Sequence, residues 1–155
     1  DNVDTFMNSC VDAALAMQSF IIAAESVGLG CCPISQVRNK IDEWCDVLGL
    51  PDGVFPISGL CVGWPSATGY ISMRLPPSVV VHRDKYDESK LQEDVDAYDA
   101  RRHAIYQIPP EKQRLTERYG VLDFCGWSEN TTRQLSEAER PGFKAFLNGH
   151  GFALK

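Results

Sequence analysis

No CxxC pair occurs in this 155-residue chain, although it carries six cysteines: Cys10, Cys31, Cys32, Cys45, Cys61 and Cys125. All six lie inside apolar runs, which argues against a zinc site or a disulfide framework. The pattern predicts reduced, buried thiols of a cytosolic protein. His82, His103 and His150 are far apart and share no metal spacing, so no metal is expected. GxSxG, HExxH and P-loop patterns are missing. Gly28-Leu29-Gly30 lacks the third glycine of a dinucleotide fingerprint, and it follows a helical pattern where that fingerprint needs a strand. Positive charge is scarce: the net charge is −6 and the pI near 5.0, arguing against nucleic acid or an anionic membrane surface as partner. The apolar run Val11–Ala24 is too short and too interrupted by polar groups for a bilayer span. No basic n-region or signal-type apolar segment opens the sequence, and no repeat or low-complexity segment occurs. These absences leave an ordinary globular mixture, 44% hydrophobic and 23% charged, long enough for one domain with a real core.

The chain is organised around Val11–Arg38, whose first part, Val11–Val27, predicts a helix that is apolar on most sides and therefore buried. Gly28 is its expected C′ residue. A helix this apolar has few partners before it in the sequence, so burial against a second copy of the subunit is expected. Cys31–Ile34 reads as a short buried segment, and Ser35 as the N-cap of a helix over Gln36–Leu48 closed by Gly49. Such a helix start suits an electron-rich ligand. Val54–Trp64 is strand-like, and Val79–His82 reads as a second buried strand. Leu91, Val95, Tyr98 and Ile105 mark the inner face of a helix within Glu88–Tyr106. Further helices are predicted over Glu111–Tyr119 with Gly120 as stop, over Glu129–Leu135 with Ser128 as cap, and after Pro141 around Phe143, Phe146 and Leu147. Helices and strands mix without regular βαβ alternation, which predicts an α+β fold.

The stretches AAESVGLGCCPISQVRNKI, LGLPDGVFPISGLCVGWP and MRLPPSVVVHRDKYD together resemble the flavin-dependent nitroreductase family. The closing GWSENTTRQLSEAERPGFKAFLNGHGF is similar to the tail of its larger NADPH-oxidising members. The resemblance implies a single nitroreductase-like domain over residues 1–155, with a central mixed or antiparallel sheet flanked by helices around a long buried core helix. It further implies a cytoplasmic, intertwined homodimer with FMN at each subunit interface. Hydride would pass from NAD(P)H to flavin N5 and on to a nitroaromatic, quinone or similar acceptor. No protein nucleophile is needed, so no catalytic side chain is expected.

On the same resemblance, Pro33, Ile34, Ser35 and Gln36 would line the isoalloxazine edge. Many relatives carry Gly-Gly where this chain has Ser35-Gln36. Arg74 would hold the FMN phosphate, with Ser72 standing where relatives often have Lys. The alternative for Arg74 is a solvated loop arginine. Arg101 resembles the arginine used for the NADPH 2′-phosphate, the alternative being a helix-surface charge paired with Asp94 or Asp96. The family's usual N-terminal segment, with its Arg-Ser-type phosphate clamp, has no counterpart here. A second reading is therefore a non-catalytic, flavin-free remnant or fragment that keeps the fold and dimer surface.

Overall fold

Asn2 opens the first helix: its side-chain oxygen accepts the Thr5 N–H at 2.8 Å and caps α1, Val3–Ser26. The coordinates are a computed structural model that describes residues 2–155. The cap starts α1 well before Val11, giving 24 residues and a length of about 36 Å. Gly28 ends it with φ +87°, while Leu29 and Gly28 return their N–H groups to the Ala24 and Glu25 carbonyls at 3.1 and 3.0 Å. The expected burial of α1 is not found within the chain. Only Ala24 is buried, and Leu15 and Ile22 are 60% and 61% exposed. With the earlier start, α1 is also long and apolar enough, by length and composition alone, to cross a bilayer. That corrects the expectation drawn from the shorter run; packed helices meet the same two criteria.

The chain divides into two compact units, one running to Gly69 and completed by Arg140–Lys155, the other Tyr70–Glu139. In the first, β1 (Gly30–Ile34) pairs antiparallel with β2 (Gly59–Gly63), setting Cys32 opposite Cys61 and Pro33 opposite Leu60. Close packing makes Gly59 necessary, since a Cβ there would approach Val37 Cγ1 to 2.9 Å. Cys31–Ile34 is thus a strand, but a half-exposed one rather than a buried segment. The helix expected over Gln36–Leu48 is split into a 3₁₀ segment, Ser35–Lys40, and α2, Ile41–Leu48, which stops at Gly49 with φ +60°. The core of this unit gathers Ile41, Cys45, Phe146 and Leu147. Phe55 links it to α1, lying 5.9 Å from Phe6, 5.8 Å from Phe143 and 5.4 Å from Phe152 between ring centroids. Phe143, Phe146 and Leu147 lie on α7, Phe143–Gly149, as the sequence predicts.

In the second unit the expected strand Val79–His82 is absent. Pro77–Val80 forms a single helical turn, α3, leaving Val80 and Val81 60% and 61% exposed. Pro76 fixes an extended φ, and Pro77 occupies the first helical position, where its missing N–H costs nothing. There follow α4 (Leu91–Ile105), a 3₁₀ turn at Pro110–Lys112, α5 (Thr116–Tyr119) ended by Gly120, and α6 (Trp127–Leu135). The buried side chains of this unit are largely polar: Asp99, Gln113 and Arg133 beside Tyr98 and Cys125. The six cysteines are free, but only Cys45 and Cys125 are buried. Cys10 and Cys31 are half-buried and Cys32 and Cys61 exposed, which corrects the expectation of six buried thiols. With a helix-rich chain and a small antiparallel sheet, the fold is α+β.

Candidate functional site

Pro33, Ile34, Ser35 and Gln36 fall where β1 turns into the 3₁₀ segment. Ile34 is extended, and the Ser58 hydroxyl donates to its carbonyl at 3.2 Å. Arg38 donates from its guanidinium to the Ile57 carbonyl, tying the turn to the segment that leads into β2. Ser35 is not a cap: Ile34 takes the N-cap position, and among the described residues no side chain supplies a cap bond. Donors remain, because the first N–H groups of a helical turn have no intrahelical acceptor. They open a six-residue 3₁₀ segment, however, rather than the long helix expected there. Ser35 and Gln36 are exposed.

The second unit holds the two arginines expected at the site, Arg74 and Arg101. Ser72 and Arg74 are exposed, and Met73 between them is anchored by the Tyr98 hydroxyl, which donates to its carbonyl at 3.0 Å. Ser72, Arg74, Tyr98, Arg102 and Trp127 line a cavity of about 440 Å³. A cleft of about 420 Å³ also contains Arg102, together with Lys112 and Arg114, and none of the described side chains lining it is acidic. Arg101 lines neither. On α4, Val95, Tyr98, Asp99 and Arg102 share the inward face, whereas Arg101 is rotated about 100° from Arg102 and exposed. The position that faces both cavities is that of its neighbour, Arg102. The phase set by Val95 and Tyr98 was the signal that could have found it.

Lys112 and Arg114 flank Gln113, which is buried and bonded in both directions to Leu122: it donates to the carbonyl at 2.7 Å and accepts the N–H at 2.9 Å. Asn130 on α6 accepts the Arg114 N–H at 2.8 Å. Arg133, only 2% exposed, donates to the Gly120 carbonyl at 2.7 Å and the Arg114 carbonyl at 3.3 Å, and pairs with Glu129 at 2.7 Å. A buried arginine satisfied on this many sides holds the Arg114–Gly120 segment against α6. The two cations are thus presented by anchored backbone. The cleft can accept an anion with several oxygens, a phosphate above all. Among the described residues no group of three or more His, Cys, Asp or Glu is placed to hold a metal.

Residues 2–64 match the model of the nitroreductase family, and residues 72–155 that of the nitroreductase family, C-terminal domain. The chain belongs to the nitroreductase family. It is 32% identical over its whole length both to a CR(VI) reductase of Pseudomonas sp. (strain G-1) and to an NADPH-flavin oxidoreductase of Vibrio harveyi. It spans 60% of the length of each of these relatives. Among solved structures, NfrA1 of B. megaterium superimposes with a TM-score of 0.84 at 32% identity, covering all of this chain and 60% of that one. The NADPH:FMN oxidoreductase from Vibrio harveyi, complexed with NAD+, gives 0.83 at 30% identity, covering all of this chain and 59% of that one. These nitroreductase-like neighbours agree with the α+β architecture.

Proposed function

We propose that this nitroreductase-family chain serves an FMN-dependent NAD(P)H oxidoreductase that reduces nitroaromatics, quinones or similar acceptors. The observation that carries the reading is the pair of carboxylate-free cavities around Arg74, Arg102, Lys112 and Arg114, in a chain matched by the family models over nearly its whole length. Relatives bearing the names NADPH-flavin oxidoreductase and FMN reductase (NADPH) support flavin and nicotinamide nucleotide as its cofactor and co-substrate.

The residues fit such groups. In the first unit, Pro33, Ile34, Ser35 and Gln36 are assigned to the isoalloxazine edge, where the unused amides that open the 3₁₀ segment supply donors. In the second, Arg74 is assigned to the FMN phosphate with Ser72 beside it. Arg74 has no carboxylate partner among the described residues, so its forked donors are available to a phosphate. Arg102, Lys112 and Arg114 take the role expected of Arg101 and hold the phosphates of NADPH. When bound, FMN supplies hydride acceptance from NAD(P)H and delivery to the acceptor. The side chains bind and orient, and none is assigned as a nucleophile. We also read the chain as one cytoplasmic nitroreductase-like domain that works as a homodimer. The exposed apolar face of α1, with Val11, Leu15 and Ile22, would then be covered by a second copy.

Flavin fluorescence titration tests the assignment. FMN fluorescence is expected to be quenched on binding, with Arg74→Ala weakening FMN by about 1.5–3 kcal/mol and leaving riboflavin unaffected. Equal FMN affinity in the two proteins would return Arg74 to the solvated loop residues. Failure to bind FMN at all would favour the flavin-free alternative.

A further inference from the structure

We propose that Cys32 and Cys61 form a reversible cross-strand disulfide, a redox clip on the β1–β2 pair. The two residues are direct partners in the antiparallel register, so their side chains leave the sheet on the same face. Directly opposed residues in such a pair have Cα atoms about 4.5–5.5 Å apart, inside the window of about 4.4–6.8 Å that a disulfide spans. Cys31 faces Val62 and, by the two-residue period of a strand, projects to the other side. Adjacency in sequence therefore does not let Cys31 compete for Cys61. Both members of the pair are free and exposed, whereas Cys45 and Cys125 are buried. Access to a small oxidant selects the same two thiols that the register brings together.

The chemistry is thiol–disulfide exchange with a low-molecular-weight disulfide such as oxidised glutathione. One cysteine thiolate attacks that disulfide, forming a mixed disulfide and expelling one glutathione thiolate. The second cysteine thiolate attacks the protein sulfur of the mixed disulfide and expels the other. Two protein thiols are oxidised to one disulfide, and one small disulfide is reduced to two thiols, which take up the two protons released. The bridge would pin the strands one residue before Pro33. Any effect on flavin rests on the assignment of Pro33–Gln36 given above; closure of the bridge does not.

The full chain is incubated with oxidised glutathione, remaining thiols are alkylated, and the products are mapped by mass spectrometry. The expected result is loss of two hydrogen masses and a linked peptide joining Cys32 to Cys61, reversed by dithiothreitol. The link should persist in Cys31→Ser. In Cys61→Ser it should vanish, leaving a glutathione adduct on Cys32. Separate adducts on Cys32 and Cys61 without a link, or two unmodified thiols, would overturn the proposal in the unsubstituted protein. An equal yield of a Cys31–Cys61 link in Cys32→Ser would overturn the selectivity.

Discussion

The carboxylate of Asp99 on α4 accepts the main-chain N–H of Ser128, with Oδ1 at 3.1 Å and Oδ2 at 3.3 Å, and takes the Ser128 hydroxyl as well. This is a helix cap supplied from elsewhere in the chain. Ser128 does not cap α6 as its residue type suggests; it is the second helical residue and presents its donors to Asp99. The same carboxylate explains Gly126, where a Cβ would come within 2.6 Å of Asp99 Cγ.

Removing that carboxylate strands a half-buried N–H and hydroxyl. Asp99→Ala should cost about 1–3 kcal/mol of stability. Gly126→Ala should also destabilise the native protein, yet lose much of its penalty in the Asp99→Ala background, because the two residues occupy one space. Urea denaturation of the two single variants and the double variant gives the coupling. Strict additivity would mean that the clash at Gly126 does not arise from Asp99.

Proline scanning at the turn after β1 separates the structural and functional roles of its amides. Ile34 is extended at φ −121°, ψ 106°, a conformation compatible with a following proline, and Ser35 begins the 3₁₀ segment. Ser35→Pro should therefore fold with little loss of stability. Gln36→Pro should be worse, since it disfavours the helical conformation that Ser35 adopts. The lost Ser35 amide should also lower the midpoint potential of bound flavin, by weakening support for negative charge on the reduced ring. Melting temperatures test the first contrast and spectroelectrochemistry the second. An unchanged potential in folded Ser35→Pro would show that this amide does not face the flavin.

Several features were legible in the residues, and the failures have definite physical causes. Gly28, Gly49 and Gly120 were identifiable as stops because ending a helix in the left-handed region is a local demand. The spacing of Phe143, Phe146 and Leu147 likewise located α7. Apolar composition marked α1 as needing cover, but composition does not say whether the cover lies in the same chain. Val79–Val81 looks like a strand by its β-branched run, and Pro76-Pro77 overrides that preference. Asp99 and Ser128 are too far apart in sequence for any local pattern to join them. Arg101 and Arg102 differ only in helical phase, and the phase set by Val95 and Tyr98 is what turns Arg102 inward.

Buried thiols set a pH dependence of stability. Burial pushes the Cys45 thiol up, and the Asp42 and Asp46 carboxylates add to the shift. Burial also raises Cys125, against a smaller opposing effect of Arg133. A thiol in the unfolded chain ionises near about pH 8.5. Because the folded protein holds these protons more tightly, their stabilisation is complete below that pH. It is lost as pH rises through the higher folded-state values. The melting temperature should thus fall on the alkaline side, and by less in Cys45→Ala measured against its own neutral-pH value. An identical alkaline slope in the variant would remove Cys45 from the account.

The cations of the cleft should act on nucleotide rather than on flavin. Substituting Lys112 and Arg114 together by glutamine should raise the KM for NADPH at least tenfold, about 1.4 kcal/mol, with FMN affinity unchanged. Both side chains project from backbone held by Gln113 and Asn130, so the fold should tolerate the change. Steady-state kinetics over a range of NADPH, paired with FMN titration, checks this; a parallel loss of FMN affinity would show that the cleft belongs to the flavin.

Hydride transfer through bound flavin is tested by anaerobic addition of NADPH to the FMN-reconstituted chain, with the visible flavin absorbance followed over time. The yellow absorbance should bleach as NADPH is consumed and return when a quinone or nitroaromatic is added. Flavin that stays bound and oxidised in the presence of excess NADPH would contradict such transfer.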